Sequence, residues 1–230
     1  MSANDSCFYG RWHIKFAIND FYVVEKEGVF MQVLSQFHDL ILCIISALEA
    51  RDPYTSHHSS RLAEMTENIC KIIGLDDEEK EIYHIAAHLH DIGKIGIRDN
   101  VLLKEGKLND EEWEIMKSHS EQGYKILMNV SSFENIALIV RSHHERFYGK
   151  GYPDGLKGND IPLGSRIIAI ADSIDAMISD RPYRKGMDTD ICKGEIEKNI
   201  GVMYDPAIAG KVIEHWDEVI KSGEDECNNL

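Results

Sequence analysis

Apolar residues recur along most of this chain at intervals of three and four, the spacing that lines one face of an α-helix. Val33, Leu34, Phe37, Ile41, Ile44, Ile45 and Leu48 carry the pattern over 31–50 and predict a first helix, which Pro53 ends or kinks. A second helix is expected from about Thr55 to Ile73, stopping at Gly74. A third starts near Asp76 and carries His90 and Asp91 towards its C-terminal end, before Gly93 and Gly96 loosen the chain. Asn109 with Glu112 has the form of a capping box and opens a helix running to about Met128. Similar patterns cover 132–144, 163–180, 189–200 and 205–221, so the expected class is an all-α helical bundle.

Two segments break the period. Residues 145–162, ERFYGKGYPDGLKGNDIP, are dense in Gly, Pro and Asp and must form a loop, either ordered or flexible. In the first thirty residues Trp12, Ile14, Phe16 and Ile18 alternate with other side chains, and Asn19-Asp20 offers a turn before FYVV. That alternation predicts a small β-hairpin at 11–24, a remnant of a sensory module or a dimer contact. With 230 residues the chain suits a short N-terminal segment, 1–30, followed by one helical domain, 31–230.

Composition narrows the setting. The longest apolar stretch, LILCIISAL at 40–48, is far too short to span a bilayer, and nothing at the N-terminus resembles a signal peptide. Cys7, Cys43, Cys70, Cys192 and Cys227 are odd in number and form no CxxC pair, which points to reduced thiols in a cytoplasm. A formal net charge of -15 argues against a duplex nucleic-acid partner, because phosphate backbones are met by basic faces. An anionic small molecule stays open, since bound divalent ions would reverse the local sign.

The candidate chemistry begins at His90-Asp91 in AAHLHDIGKIGI. An imidazole beside a carboxylate can hold two metal ions side by side, and water between them becomes a nucleophile at neutral pH. Further nitrogen and oxygen donors lie at His58, His119, His143-His144 and Asp172, each at or beside the apolar face of a separate predicted helix. A bundle can converge such side chains on one interior point. Imidazoles mixed with carboxylates, without thiolates, favour iron or manganese, while zinc, nickel or copper would compete. Trp113, Met116, Gly123 and Leu127 mark an inward stripe that includes His119. His38-Asp39 is also a His-Asp pair but lacks the following Gly and Lys. His84 and His88 have metal-binding spacing, yet Ile82, Ile85, Ala86 and Leu89 mark the opposite face as buried, so the pair reads as surface or supporting residues. On physics alone either His57 or His58 could turn inward.

Together HDIGKIGI, HHERFYGKGYP and DSIDAMISDRPYR resemble the HD-GYP phosphodiesterases of the HD superfamily, over about Leu48 to Ile208. The resemblance implies a bacterial enzyme that hydrolyses cyclic di-GMP to pGpG, and sometimes on to GMP, by a metal-bridged hydroxide. It implies His58, in preference to His57, with His90 and Asp172 on one metal, His119, His143 and His144 on the other, and Asp91 bridging. It places Lys94 at the scissile phosphate and Arg181 and Arg184 at the far phosphate or a guanine. Gly151-Tyr152-Pro153 would support the site or meet a diguanylate cyclase partner. Where some family members use a glutamate for a third metal this chain has Tyr54, and Glu49 lies too far along its helix, so two ions are expected. Tyr148 stands where the family more often has Asp. A hybrid cyclic dinucleotide is a substrate variant; an inactive cyclic-di-GMP effector and a general nucleotide phosphohydrolase are the other readings.

Overall fold

The computed structural model describes residues 27–51, 57–180 and 185–221, with side chains from 38 onward. The expected hairpin at 11–24, Tyr54, Arg181 and Arg184 lie outside the described residues. Among these residues the architecture is helical, without a named strand. No described helix is long and apolar enough to cross a membrane.

Helix α1 (Glu27–Glu49) packs on α3 (Asp77–Leu89) through Ile41, Ile45 and Leu48, one turn apart and all buried, whereas Ile44 faces out. α2 (His58–Ile73) stops where the sequence places its stop: Gly74 takes a left-handed φ of 80°, and its N–H returns to the carbonyls of the last turn. Asp76 caps α3 by accepting from the Glu79 N–H. α2 and α3 pack against α7 (Glu134–Ser142) and α8 (Leu163–Ile178), burying Leu62, Ile69, Ala86, Ala87, Val140, Ile167 and Ile174 in one core. α9 (Thr189–Lys198), α10 (Pro206–Glu214) and α11 (Trp216–Ile220) lie against α2, α8 and one another.

Three expectations change. The helix predicted from Asn109 to Met128 is two helices, α5 (Asp110–Lys117) and α6 (His119–Leu127), with the short α4 (Asp99–Leu102) before them. The capping box of Asn109 and Glu112 is present, but Ser118 turns its hydroxyl onto the Ile115 carbonyl and the helix bends there. The bend aims Trp113 at solvent, 46% exposed, while His119, Gly123 and Leu127 stay buried. Gly93 does not loosen the chain. It sits in a 3₁₀ turn, Ile92–Gly96, pressed so closely on α6 that a Cβ would lie 1.8 Å from the His119 carbonyl oxygen. Finally, the predicted helix over 205–221 breaks at His215 into α10 and α11.

The Gly-Pro-rich loop is ordered. Phe147 and Tyr148 donate backbone N–H groups to the carbonyls of Met203 and Val202, and buried Glu145 accepts from the N–H groups of Asp154 and Gly155. Arg141 pairs with Asp154 through two 2.8 Å contacts. At the end of α1, Arg51 donates to the carbonyls of Lys94, Ile95 and Ile97 and to Asp99 Oδ1, stitching α1 to the 3₁₀ turn after Asp91.

His57, which precedes α2, has φ 59°, the left-handed region that costs a β-carbon roughly 1–2 kcal/mol. His57→Gly is therefore expected to stabilise the fold by roughly 0.5–1 kcal/mol, strain relief less the added freedom of the unfolded chain. A thermal melt should show a rise of roughly 2 °C; a lower melting temperature would contradict the strain.

Candidate metal centre

Three of the candidate histidines are placed by one local device. A helix leaves its last carbonyls unsatisfied. His90 at the end of α3 donates Nδ1–H to the Ala87 carbonyl at 2.8 Å, His119 beyond α5 to Met116 at 2.8 Å, and His143 at the end of α7 to Val140 at 2.6 Å. Each bond spans three residues and fixes the tautomer, so each Nε2 turns a lone pair inward. His58, the first residue of α2, reaches the same state through a side chain: its Nδ1 lies 2.6 Å from Asp175 Oδ2.

These Nε2 atoms then face one another. His58 and His90 are 3.3 Å apart and His119 and His143 3.4 Å, and with both Nδ1 atoms donating elsewhere the neutral rings of each pair turn lone pair to lone pair. Ligands about 2.0–2.2 Å from a shared ion stand roughly 2.8–3.6 Å apart at octahedral or tetrahedral angles. The spacing suits donors around a cation and does not suit hydrogen bonds.

Two sets result. His58, His90 and Asp172 offer ligand atoms within 4.8 Å of one another, and His119, His143 and His144 form a second group by the same measure. Asp172 Oδ1 is 3.4 Å from His58 Nε2. Asp91 lies between the sets: Oδ2 is 3.3 Å from His90 Nε2 and Oδ1 is 3.4 Å from His119 Nε2. One carboxylate thus presents an oxygen to each group. Lys94 Nζ sits 2.6 Å from Asp91 Oδ2.

Electrostatics keep His143, His144 and Asp91 in their binding forms. Burial, with the neighbouring imidazoles, pushes His144 down to about 3 and holds His143 well below its ordinary range, so their lone pairs stay free at neutral pH. Burial also works to raise Asp91, but the charges of Lys94, His90 and His119 outweigh it and hold the carboxyl well below the usual range. His90 is the exception: burial is outweighed by Asp91 and Asp172 and its pKa is raised, which favours the protonated ring and sets a proton in competition with a cation at Nε2. The C-terminal ends of α3, α5 and α7 meet here, and their negative dipole ends favour a cation.

All seven expected donors converge, and His58, buried, faces inward while exposed His57 does not. Glu49 accepts from the backbone N–H groups of His57 at 3.2 Å and Ser59 at 3.4 Å, which occupies it at the start of α2. Tyr152 lays its ring against His144, centroids 4.8 Å apart, and its N–H returns to the His144 carbonyl at 3.3 Å. Gly151 permits this: a Cβ there would lie 2.3 Å from the Glu145 Cα. Tyr148 is exposed under Lys157 and Lys150, on the outer side of the loop.

Sequence reasoning missed Asp175 and Arg61. Arg61 Nε lies 2.6 Å from Asp175 Oδ1 while the other oxygen holds His58, and these bonds outweigh burial to bring Asp175 down to about 2. Spacing offered the signal, since Asp175 is one turn after Asp172 and Arg61 one turn after His58. Asp175→Asn should weaken metal retention by ~10–100-fold, the usual cost of losing a carboxylate behind a ligating imidazole. Competition against a graded chelator measures it; unchanged retention would show that Asp175 serves packing alone.

Comparison with known proteins places this geometry in context. A family model described as HD domain matches residues 43–208. Over 162 residues the chain is 43% identical to a cyclic di-GMP phosphodiesterase response regulator of Xanthomonas campestris, covering 70% of this chain and 43% of that protein. It is 38% identical over 168 residues to 3′3′-cGAMP-specific phosphodiesterase 3 of Vibrio cholerae, covering 71% and 36%. The fold resembles the crystal structure of a cyclic GMP-AMP-specific phosphodiesterase of the same organism, with a TM-score of 0.63 at 19% identity over 82% of this chain and 52% of that one. The chain spans less than half the length of either curated relative.

Proposed function

The chain belongs to the HD domain family, and from that premise we propose that residues 31–230 form a metal-dependent phosphodiesterase domain of the HD-GYP branch, acting on cyclic di-GMP. One observation carries the proposal: the two oxygens of Asp91 each lie 3.3–3.4 Å from an inward Nε2, on opposite sides of one carboxylate. Two ions, iron or manganese, would fit the donor set: His58, His90 and Asp172 would hold one, His119, His143 and His144 the other, and Asp91 would offer an oxygen to each. Ions so held would lower the pKa of water into the neutral range and polarise a phosphate.

The remaining work falls to side chains. Lys94, beside Asp91, brings a positive charge to the phosphoryl oxygens as the 3′ oxygen leaves, the kind of stabilisation on which phosphoryl transfer depends. Arg181 and Arg184 are assigned to the far phosphate or a guanine from the DRPYR motif. Tyr152 covers one side of His144, and the Gly151-Tyr152-Pro153 loop is assigned to support the site or contact a diguanylate cyclase. Hydrolysis to pGpG is the expected reaction.

The test is anaerobic purification, metal analysis, and turnover of cyclic di-GMP and 3′3′-cGAMP side by side. Faster hydrolysis of cyclic di-GMP supports the proposal. Preference for 3′3′-cGAMP reassigns the substrate, and binding without turnover by fully metallated protein overturns the enzymatic reading in favour of an effector.

A further inference from the structure

We propose that His38, His84 and His88 form a separate transition-metal site that clasps α1 to α3. His84 and His88, one turn apart on α3, share a face, and His38 of α1 lies across from them. One ring nitrogen from each imidazole lies within 4.8 Å of the other two, and the Nε2 atoms of His38 and His84 are 3.3 Å apart. Nitrogens bound tetrahedrally at about 2.0–2.1 Å stand roughly 3.3–3.4 Å apart, so this spacing already fits a shared ion. None of the three residues belongs to the centre around Asp91.

A simple hydrogen bond from His38 to His84 is the competing account, and it leaves the third ring unexplained. His88 is 3% exposed, and its Nδ1 has no hydrogen-bond partner. Leaving a polar group buried and unpaired carries a cost of ~1–3 kcal/mol, which a cation shared by the three rings would offset. His84 Nδ1 is likewise buried without a hydrogen-bond partner, the Glu67 carboxylate behind it standing 3.7 Å away. Three imidazoles without a carboxylate ligand select zinc, nickel, cobalt or copper over magnesium, calcium or manganese.

Chelator-stripped full chain is titrated with Zn²⁺ alone, and tightly bound zinc is counted in wild type, His38→Ala, His84→Ala, Asp91→Ala and the double variant His38→Ala/Asp91→Ala. The expected result is one zinc equivalent fewer in each single histidine variant, lost in addition to the metal lost with Asp91. Manganese-supported hydrolysis in His38→Ala should stay within about twofold of wild type. His38 is partly exposed, so this variant carries the test even if His84→Ala does not fold. As an independent readout, Co²⁺ added to Asp91→Ala should give a tetrahedral visible spectrum that is lost in His38→Ala/Asp91→Ala. Equal zinc counts in wild type and folded His38→Ala, or a cobalt spectrum indifferent to His38, would overturn the proposal.

Discussion

Asp91→Ala is expected to lower kcat/KM for cyclic di-GMP by at least ~10³-fold, with strongly reduced metal content. Removing one preorganised electrostatic contact at a phosphate or acyl site costs ~3–4 kcal/mol, and here one side chain serves both ligand sets. The loss has two sources. Each group loses an oxygen donor, and the imidazoles of His90 and His119 lose the negative charge that now lies 3.3–3.4 Å from their Nε2 atoms. Lys94 also loses its 2.6 Å partner and leaves an ammonium beside the donors, which repels cations. Steady-state kinetics with metal analysis of the same samples checks this. More than a tenth of wild-type turnover at normal metal content would remove Asp91 from the bridging role.

Gly93→Ala should be the most damaging change outside the ligand set. A Cβ at this position would meet the His119 carbonyl oxygen at 1.8 Å and the Gly123 nitrogen at 2.4 Å, and both are backbone atoms that cannot rotate away. Overpacking of this kind costs ~3 kcal/mol or more, which lowers the melting temperature by roughly 6–12 °C for a domain of this size. The strain falls between Asp91 and His119, so the second ligand set should loosen and metal retention fall along with stability. Gly96→Ala is the control: its Cβ would press on the end of the Gln122 side chain, which can move. Equal melting temperatures for Gly93→Ala and wild type would disprove the close approach.

The class of the fold and the seven donors that the structure brings together were legible because they rest on local signals. Helical period, the Gly74 stop and the Asn109 capping box are decided within a few residues, and the donors lie in motifs that keep their order. Most of what stayed hidden depends on neighbours remote in sequence; the break at Ser118 is the local exception. The bend at Ser118 competes with an uninterrupted helical pattern, and a hydroxyl that takes the Ile115 carbonyl decides it. Gly93 suggests flexibility in a one-dimensional reading, but its small size answers the approach of α6, thirty residues on. His84 and His88 were assigned to an outer face because the apolar residues of α3 mark one side. α1 covers that outer face, so His88 is buried after all. Asp175 escaped notice because its role is to hold another side chain.

The contacts of Arg51 couple two motions that a sequence alone would treat as independent. Its guanidinium makes five hydrogen bonds to the turn that carries Lys94 and to Asp99. A rotation or slide of α1 must therefore either break that set together or drag the turn along with it. In mechanical language α1 is a push-rod with its far end bolted to the turn that carries Lys94, and displacement along the rod is transmitted to that ammonium and to the Asp91 carboxylate 2.6 Å from it.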